Sequence, residues 1–394
     1  MKSIKTKIIV YLGILLLVIC SGLGSTAYII ASDALTANVR ESLPQLAEQA
    51  AKVVESRIDE QLTALEIFAG MDIIKDSQSS WEDKKKILDE ASAKYKHKLM
   101  GLAVISGTAT FTDGSTVDIK DRAYFQKAVS GIKNVSDPII SKIDGSIITC
   151  YAVPVYENGI VTGVLVALRD GSEMSNITND MKFGKSGRAF MINKQGTKIA
   201  HSKKELVLNM DNDLQNVKSN PGLEALAKLE QRMTKGEKGA GMYSYEGVIK
   251  YLGFAPVPKT GWSIAVAAPR DEIFAELDRL GILILVFTPV IMLSGMGIGF
   301  VIARQISGPI KTASEFLEVA AAGDFSRGVP GKFLRLKDEV GVLTKSMDKM
   351  QKSVREVIKG VINESANVDH AVGAASSHMT ELTSRIEDIA ATTQ

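Results

Sequence analysis

Two runs without a charged residue, 8–32 and 280–303, constrain this chain more than anything else in it. Each is longer than the ~20 apolar residues needed to cross about 30 Å of hydrocarbon. The first follows Lys2, Lys5 and Lys7, as the h-region of a signal peptide would. It outlasts an ordinary h-region, however, and no small-x-small cleavage site follows, so an uncleaved transmembrane helix is expected. Lysines before the first run hold the N-terminus in the cytoplasm, and Arg304 and Lys311 after the second return the chain there. The expected layout is a cytoplasmic N-terminus at 1–7, a span at 8–30, an extracytoplasmic domain at 31–279, a second span at 280–303 and a cytoplasmic remainder. That is a multi-pass protein of the inner or plasma membrane, in contact with lipid. The string GMGIG in the second run lacks the strand-turn-helix setting of a dinucleotide loop. Gly295, Gly297 and Gly299 read instead as permitting close helix contact in lipid.

Between and after the runs the composition is ordinary, with 23% charged residues and a net charge of +2. So small a charge, with no basic run interleaved with aromatics, argues against a nucleic-acid partner. Cys20 lies in the first apolar run and Cys150 in the middle domain, so no disulfide framework is expected. A domain of this size buries enough core to do without one. His97, His201, His370 and His378 are scattered and have no metal spacing. With no nucleophile elbow, P-loop or kinase signature either, neither an enzyme nor a cofactor is expected.

After the first run, Leu35, Val39, Leu46, Ala50, Val53, Ile58, Leu65 and Phe68 recur at helical spacing. They predict one long amphipathic helix, kinked or broken near Pro44. A second helix is expected over 81–99. Short strands follow at 102–106, 139–141, 147–155 and 163–168, with Asn158-Gly159 as a hairpin signal. A comparable set returns at 188–193, 197–201, 241–245, 248–256 and 262–269, interrupted by a helix near 223–233. The fold class is therefore α+β, a long helix followed by two antiparallel modules.

The strings DRAYFQKAVSG (121–131), VSDPIISKIDGSIITCYAVPVY (135–156) and VTGVLVALRD (161–170) resemble the membrane-distal module of double Cache, PAS-like sensor domains. GKSGRAFMINKQGTKIAHSKKELVL (184–208) and GWSIAVAAPRDEIF (261–274) resemble the membrane-proximal module. The resemblance implies a distal module at about 70–182, a proximal one at about 183–270, and a small-molecule ligand in the distal module.

Arg122 offers a rigid fork of donors that suits a carboxylate, with Tyr124 and Phe125 beside it as aromatic walls. Asp170 ends an apolar strand, where a carboxylate would neutralise an ammonium group. Tyr151, with Cys150, is placed on the adjoining strand as a further wall. In amino-acid-sensing members, the resemblance implies, an arginine, two aromatics, an upstream tyrosine and a later aspartate form the site. Arg122 and Asp170 match that pattern, and Tyr124 and Phe125 stand where Trp and Tyr would be. The upstream tyrosine is replaced by Val117, which favours a carboxylate-bearing ligand over an α-amino acid in particular.

Beyond Arg304, Ile306, Ile310, Ala313, Leu317 and Ala320 keep coiled-coil spacing until Gly323. A second series runs from Leu343 to Ile389 with a stutter at Ser365. Two heptad helices joined by a Gly- and Pro-containing connector resemble a HAMP linker, here 304–358, with Pro309, Asp338 and Glu339 at its usual marks. Such modules are parallel four-helix bundles, and a narrow apolar seam predicts a homodimer. Residues 359–394 resemble the start of a chemoreceptor signalling helix. A chemotaxis histidine kinase and coupling protein are expected partners only where the rest of that hairpin is present. The reading is a methyl-accepting chemotaxis receptor. Its rivals are the input half of a sensor kinase or nucleotide cyclase, and a membrane-anchored binding protein without output.

Overall fold

The computed structural model describes residues 4–181, 183–326 and 328–392. They divide into a unit spanning Thr26–Ile282 and a second unit formed by the flanking segments, up to Ser25 and from Leu283.

The first unit is organised by the part of the helix Ile4–Ala69 from Thr26 onward, which continues unbroken through Pro44. The expected break does not occur because the neighbours of Pro44 are committed to packing: Leu43 and Ala47 are buried. A proline inside a helix costs ~3 kcal/mol through a lost hydrogen bond and a ring clash, and burial of a side chain such as Leu43, at ~1.5–3 kcal/mol, offsets much of that. The buried stripe comprises Val39, Leu43, Ala47, Ala50, Val54, Ile58, Leu62 and Leu65. It is rotated from the anticipated one, since Leu46 and Val53 face outward. The second helix, Trp81–Tyr95, starts at Ser80, whose hydroxyl accepts from the Asp83 N–H. It stops earlier than expected, at Lys96, which turns left-handed with φ 58°.

Seven strands form the first sheet: β1 (Leu99–Val104), β2 (Thr108–Phe111), β3 (Thr116–Asp118), β4 (Asn134–Val135), β5 (Ile139–Ile140), β6 (Ile147–Glu157) and β7 (Ile160–Asp170). Their order is β3-β2-β1-β7-β6-β4, with β5 also on β6, and every pairing is antiparallel. Asn158 and Gly159 close the β6–β7 hairpin with φ of 49° and 82°, the two positive values that a type I′ turn requires. The second sheet holds β8 (Arg188–Ile192), β9 (Lys198–Ala200), β10 (Gly239–Tyr245), β11 (Val248–Val257) and β12 (Trp262–Pro269), in the order β10-β11-β12-β8-β9.

Strand alternation gives each sheet two different faces. Met100, Tyr151, Val153, Leu165 and Ala167 of the first sheet join the core of the long helix, as do Met191, Trp262, Ile264 and Val266 of the second. The opposite face of the first sheet packs Phe111, Cys150, Ala152, Val166 and Leu168 under the short helix Ala123–Val129. The opposite face of the second packs Phe190, Leu252, Phe254 and Ala265 under the helix Glu224–Thr234. Each sheet thus spends one face on the shared helix and turns the other toward its own cover.

In the other unit the apolar part of the helix Ala275–Ala321 runs antiparallel to the start of the N-terminal helix. A Cβ at Gly295 would lie 2.5 Å from Leu16 Cδ1, and one at Gly299 2.4 Å from Leu12 Cδ2. The two glycines, one turn apart, are what lets these helices approach. Gly297 meets nothing. Beyond Gly323, the helix Glu339–Thr392 starts at Asp338, whose carboxylate accepts from the Gly341 N–H at 2.9 Å, a side-chain N-cap. Glu339 occupies its first turn, where an acidic group complements the helix dipole. Pro309 lies within the helix Ala275–Ala321.

Candidate functional site

Arg122 stands at the N-terminal end of the helix Ala123–Val129. Its Nη2 donates to the Ile140 carbonyl at 2.9 Å, a bond that uses one of five guanidinium donors. Arg122 and Tyr124 border two hollows. One lies against the sheet, between Phe111, Val117, Ile119, Ile148 and Leu168, and is filled down to about 20 Å³, which is room for about one water. The other, of about 420 Å³, opens between the two sheets and is bordered by Asn134, Ser136, Asp137, Asn193, Gln195 and Trp262.

Local chemistry holds this corner in place. Asp121 is paired to Lys142 at 2.6 Å, and that hydrogen bond keeps its carboxyl below the usual carboxylate range. Lys142 also donates to the Asp118 carbonyl at 2.9 Å. Burial pushes the Tyr124 hydroxyl up, with nearby Cys150 adding to the effect. Burial pushes the Cys150 thiol up to about 12. Both therefore stay neutral, and Cys150 is a small core residue rather than a nucleophile.

The anticipated residues do not all meet here. Arg122 and Tyr124 do. Phe125 is buried in the core beneath the helix rather than in either hollow. Tyr151 points to the other face of β6, into the core of the long helix, and the expectation that it walls the same cleft as Cys150 is corrected. Adjacent residues of a strand face opposite ways. Asp170 is an exposed residue at the end of β7 and borders neither hollow. Its Oδ1 accepts from the N–H and the hydroxyl of Ser172 at 2.8 and 2.6 Å, so it forms a turn before the helix Glu173–Asp180.

Sequence reasoning missed what joins the two sheets. The Asp137 carboxylate accepts from Trp262 Nε1 at 2.5 Å and from Asn193 Nδ2 at 2.8 Å. Trp262 is one of two tryptophans in the chain, and a buried indole N–H calls for a partner, which was the available clue.

Comparison with known proteins adds a family. A model described as a Cache domain, dCache_1, matches residues 31–277. A probable methyl-accepting chemotaxis protein of Bacillus thuringiensis subsp. konkukian is 24% identical over 372 residues, covering 91% of this chain and 52% of that protein. Methyl-accepting chemotaxis protein TlpA of Bacillus subtilis is 22% identical over 372 residues, covering 90% and 52%. The chain spans about half the length of these curated relatives. Among solved structures, the ligand-binding domain of Pseudomonas fluorescens chemoreceptor CtaA in complex with L-isoleucine has a TM-score of 0.49 at 17% identity. It covers 62% of this chain and 98% of that one.

Proposed function

The chain belongs to the Cache-domain family, and on that premise we propose that it is the sensory part of a transmembrane chemoreceptor that binds a small carboxylate-bearing metabolite outside the cell. The observation that carries the reading is the position of Arg122, a half-buried guanidinium at the border of an open cleft of about 420 Å³. A carboxylate docking there would find charge-assisted donors at its rim, with Tyr124 as wall and Asn134, Ser136 and Asn193 as further polar contacts. The two apolar helices are the spans, with residues 31–279 outside.

Binding would shift the sensor region between two packings. The second span would carry that shift as a small helix displacement into a HAMP module at 304–358. There Pro309 permits the helix to bend, while Asp338 and Glu339 fix the start of the next helix. Two copies of the chain would pair through the seam of that helix. Output to a chemotaxis kinase and coupling protein would follow in the full-length receptor.

The test is calorimetry on the purified full chain in nanodiscs, against amino acids, hydroxy acids and dicarboxylates. Losing charge-assisted hydrogen bonds at ~1.5–3 kcal/mol each, Arg122→Ala is expected to weaken a bound carboxylate by roughly 10- to 100-fold. Asp170→Asn should leave it within about twofold. An Arg122→Ala variant that binds as tightly as the parent sinks the proposed site.

A further inference from the structure

We propose that the second sheet carries a ligand site of its own, for a small monocarboxylate with an apolar body, on the face turned away from the N-terminal helix. A cavity of about 310 Å³ opens there, within the range of small-molecule sites. The corresponding face of the first sheet is filled almost completely. Of the two outward faces, this one has room for an organic molecule.

All five strands contribute to it. β8 presents Arg188 and Phe190, β9 Lys198, β10 Tyr243 and Tyr245, β11 Lys250 and β12 Ala267. Register brings them together, with Arg188 opposite Ala267 and Lys250 opposite Tyr243. The floor is apolar and buried: Phe190, Leu226, Tyr243 and Ala267 are each less than a tenth exposed.

Charge decides the class of ligand. Four cations and two carboxylates border the cavity. Deep in it, Lys198 is 3% exposed and bonds Asp213 at 2.8 Å and Glu230 at 2.5 Å, while its ammonium lies 4.7 Å from the centre of the Phe190 ring. That lysine is spent. Near the rim Lys203 is paired with Glu246 at 2.6 Å. Arg188 and Lys250 are left over. Among the described residues neither forms an ion pair, although Lys250 lies within the electrostatic reach of Glu246. Arg188 donates to the Gly187 carbonyl, and Lys250 lies 5.3 Å from the centre of the Tyr245 ring. With Glu230 counted beneath Lys198, four cations meet three carboxylates. The surplus of one positive charge, carried by Arg188 and Lys250 over an apolar floor, recognises a single anionic head on a hydrophobic body. The neighbouring His201 adds no charge, because burial keeps its imidazole neutral.

The experiment titrates propionate, isovalerate, benzoate and phenylacetate, with propionamide and benzamide as uncharged controls, into the full chain in nanodiscs by calorimetry and ligand-observed NMR. At least one carboxylate is expected to bind at least tenfold more tightly than its amide. The Arg188→Ala/Lys250→Ala double variant should weaken it at least tenfold with an unchanged melting midpoint, and Arg122→Ala should leave it unaltered. The proposal is overturned if no carboxylate binds at millimolar concentration, if the amides bind equally well, or if binding follows Arg122 instead. The last of these outcomes would support the cleft at Arg122, and the second says nothing against it, since a different arginine reads that cleft.

Discussion

Removing the Asp137 carboxylate would strand two donors at once. Trp262 is 1% exposed, and its indole N–H has this oxygen as its partner. A buried donor left unmade costs ~1–3 kcal/mol, which corresponds to a fall of a few degrees in melting midpoint at roughly 2–4 °C per kcal/mol. Asp137→Ala should show that loss, and Asp137→Asn, which keeps an acceptor, a smaller one; equal midpoints would contradict the bridge. Two histidines supply a pH signature. Burial pushes His97 down to about 4, aided by the Arg169 cation, and His201 likewise, aided by Lys198. Folding therefore favours their neutral forms, so stability is full above the unfolded value of 6.5 and is lost as pH falls toward 4. Glu230, pushed up to about 7 by burial, acts with the opposite sign over an overlapping range. The histidine contribution is thus read as a difference: His97→Gln should flatten the acid side of the midpoint-versus-pH curve, and an unchanged curve would exclude it. That Arg122 and Tyr124 would border one hollow was legible, because they lie two apart in one contiguous string at a helix start. Tyr151 was misread because proximity in a strand is not proximity on a face. The Asp137–Trp262 bond joins residues 125 apart, and nothing local announces such a pairing.

Among the elements, the long helices were located well and their faces less well, while the short helices Ala123–Val129 and Glu173–Asp180 were not anticipated. The apolar stripe of the N-terminal helix could be drawn several ways, since Ala47, Val54 and Leu62 compete with Leu46 and Val53 for the inward side. Only packing against two sheets chooses between them. The same competition explains Pro44, where tertiary contacts outweigh local preference. The hairpin at Asn158-Gly159 was fully readable, because positive φ at both central positions restricts the residues allowed. The apolar helices carry a prediction of their own. Gly295→Leu and Gly299→Leu place side chains where Leu16 and Leu12 already lie. The same two helices also meet at Gly24, where a Cβ would lie 2.7 Å from Ile284 Cγ2. Each substitution should separate the helices and lower crosslinking between cysteines introduced at Gly24 and Ile284 in a Cys20→Ala background, whereas Gly297→Leu should leave it unchanged. Equal crosslinking in all three variants would contradict the glycine contact.

At the scale of the whole molecule, the sequence conveyed the alternation of apolar runs with a mixed-composition domain, because solvent transfer energies act on composition directly. It did not convey how the two sheets divide the long helix between them, or that the second sheet keeps the roomier outer face. On the helix Glu339–Thr392, Val357, Val361, Val368, Val372, Met379, Leu382 and Ile386 are all more than half exposed in the single chain. A second copy covering that seam is what the proposed relay requires. The proposed receptor requires each region to face a particular side of a membrane. The direct measurement is labelling of intact cells with a membrane-impermeant maleimide, in a Cys20→Ala/Cys150→Ser background carrying one new cysteine at exposed Glu90 or exposed Ser376. Glu90→Cys is expected to label in intact cells and Ser376→Cys only after permeabilisation. Labelling of both without permeabilisation, or of Ser376→Cys alone, would contradict that orientation.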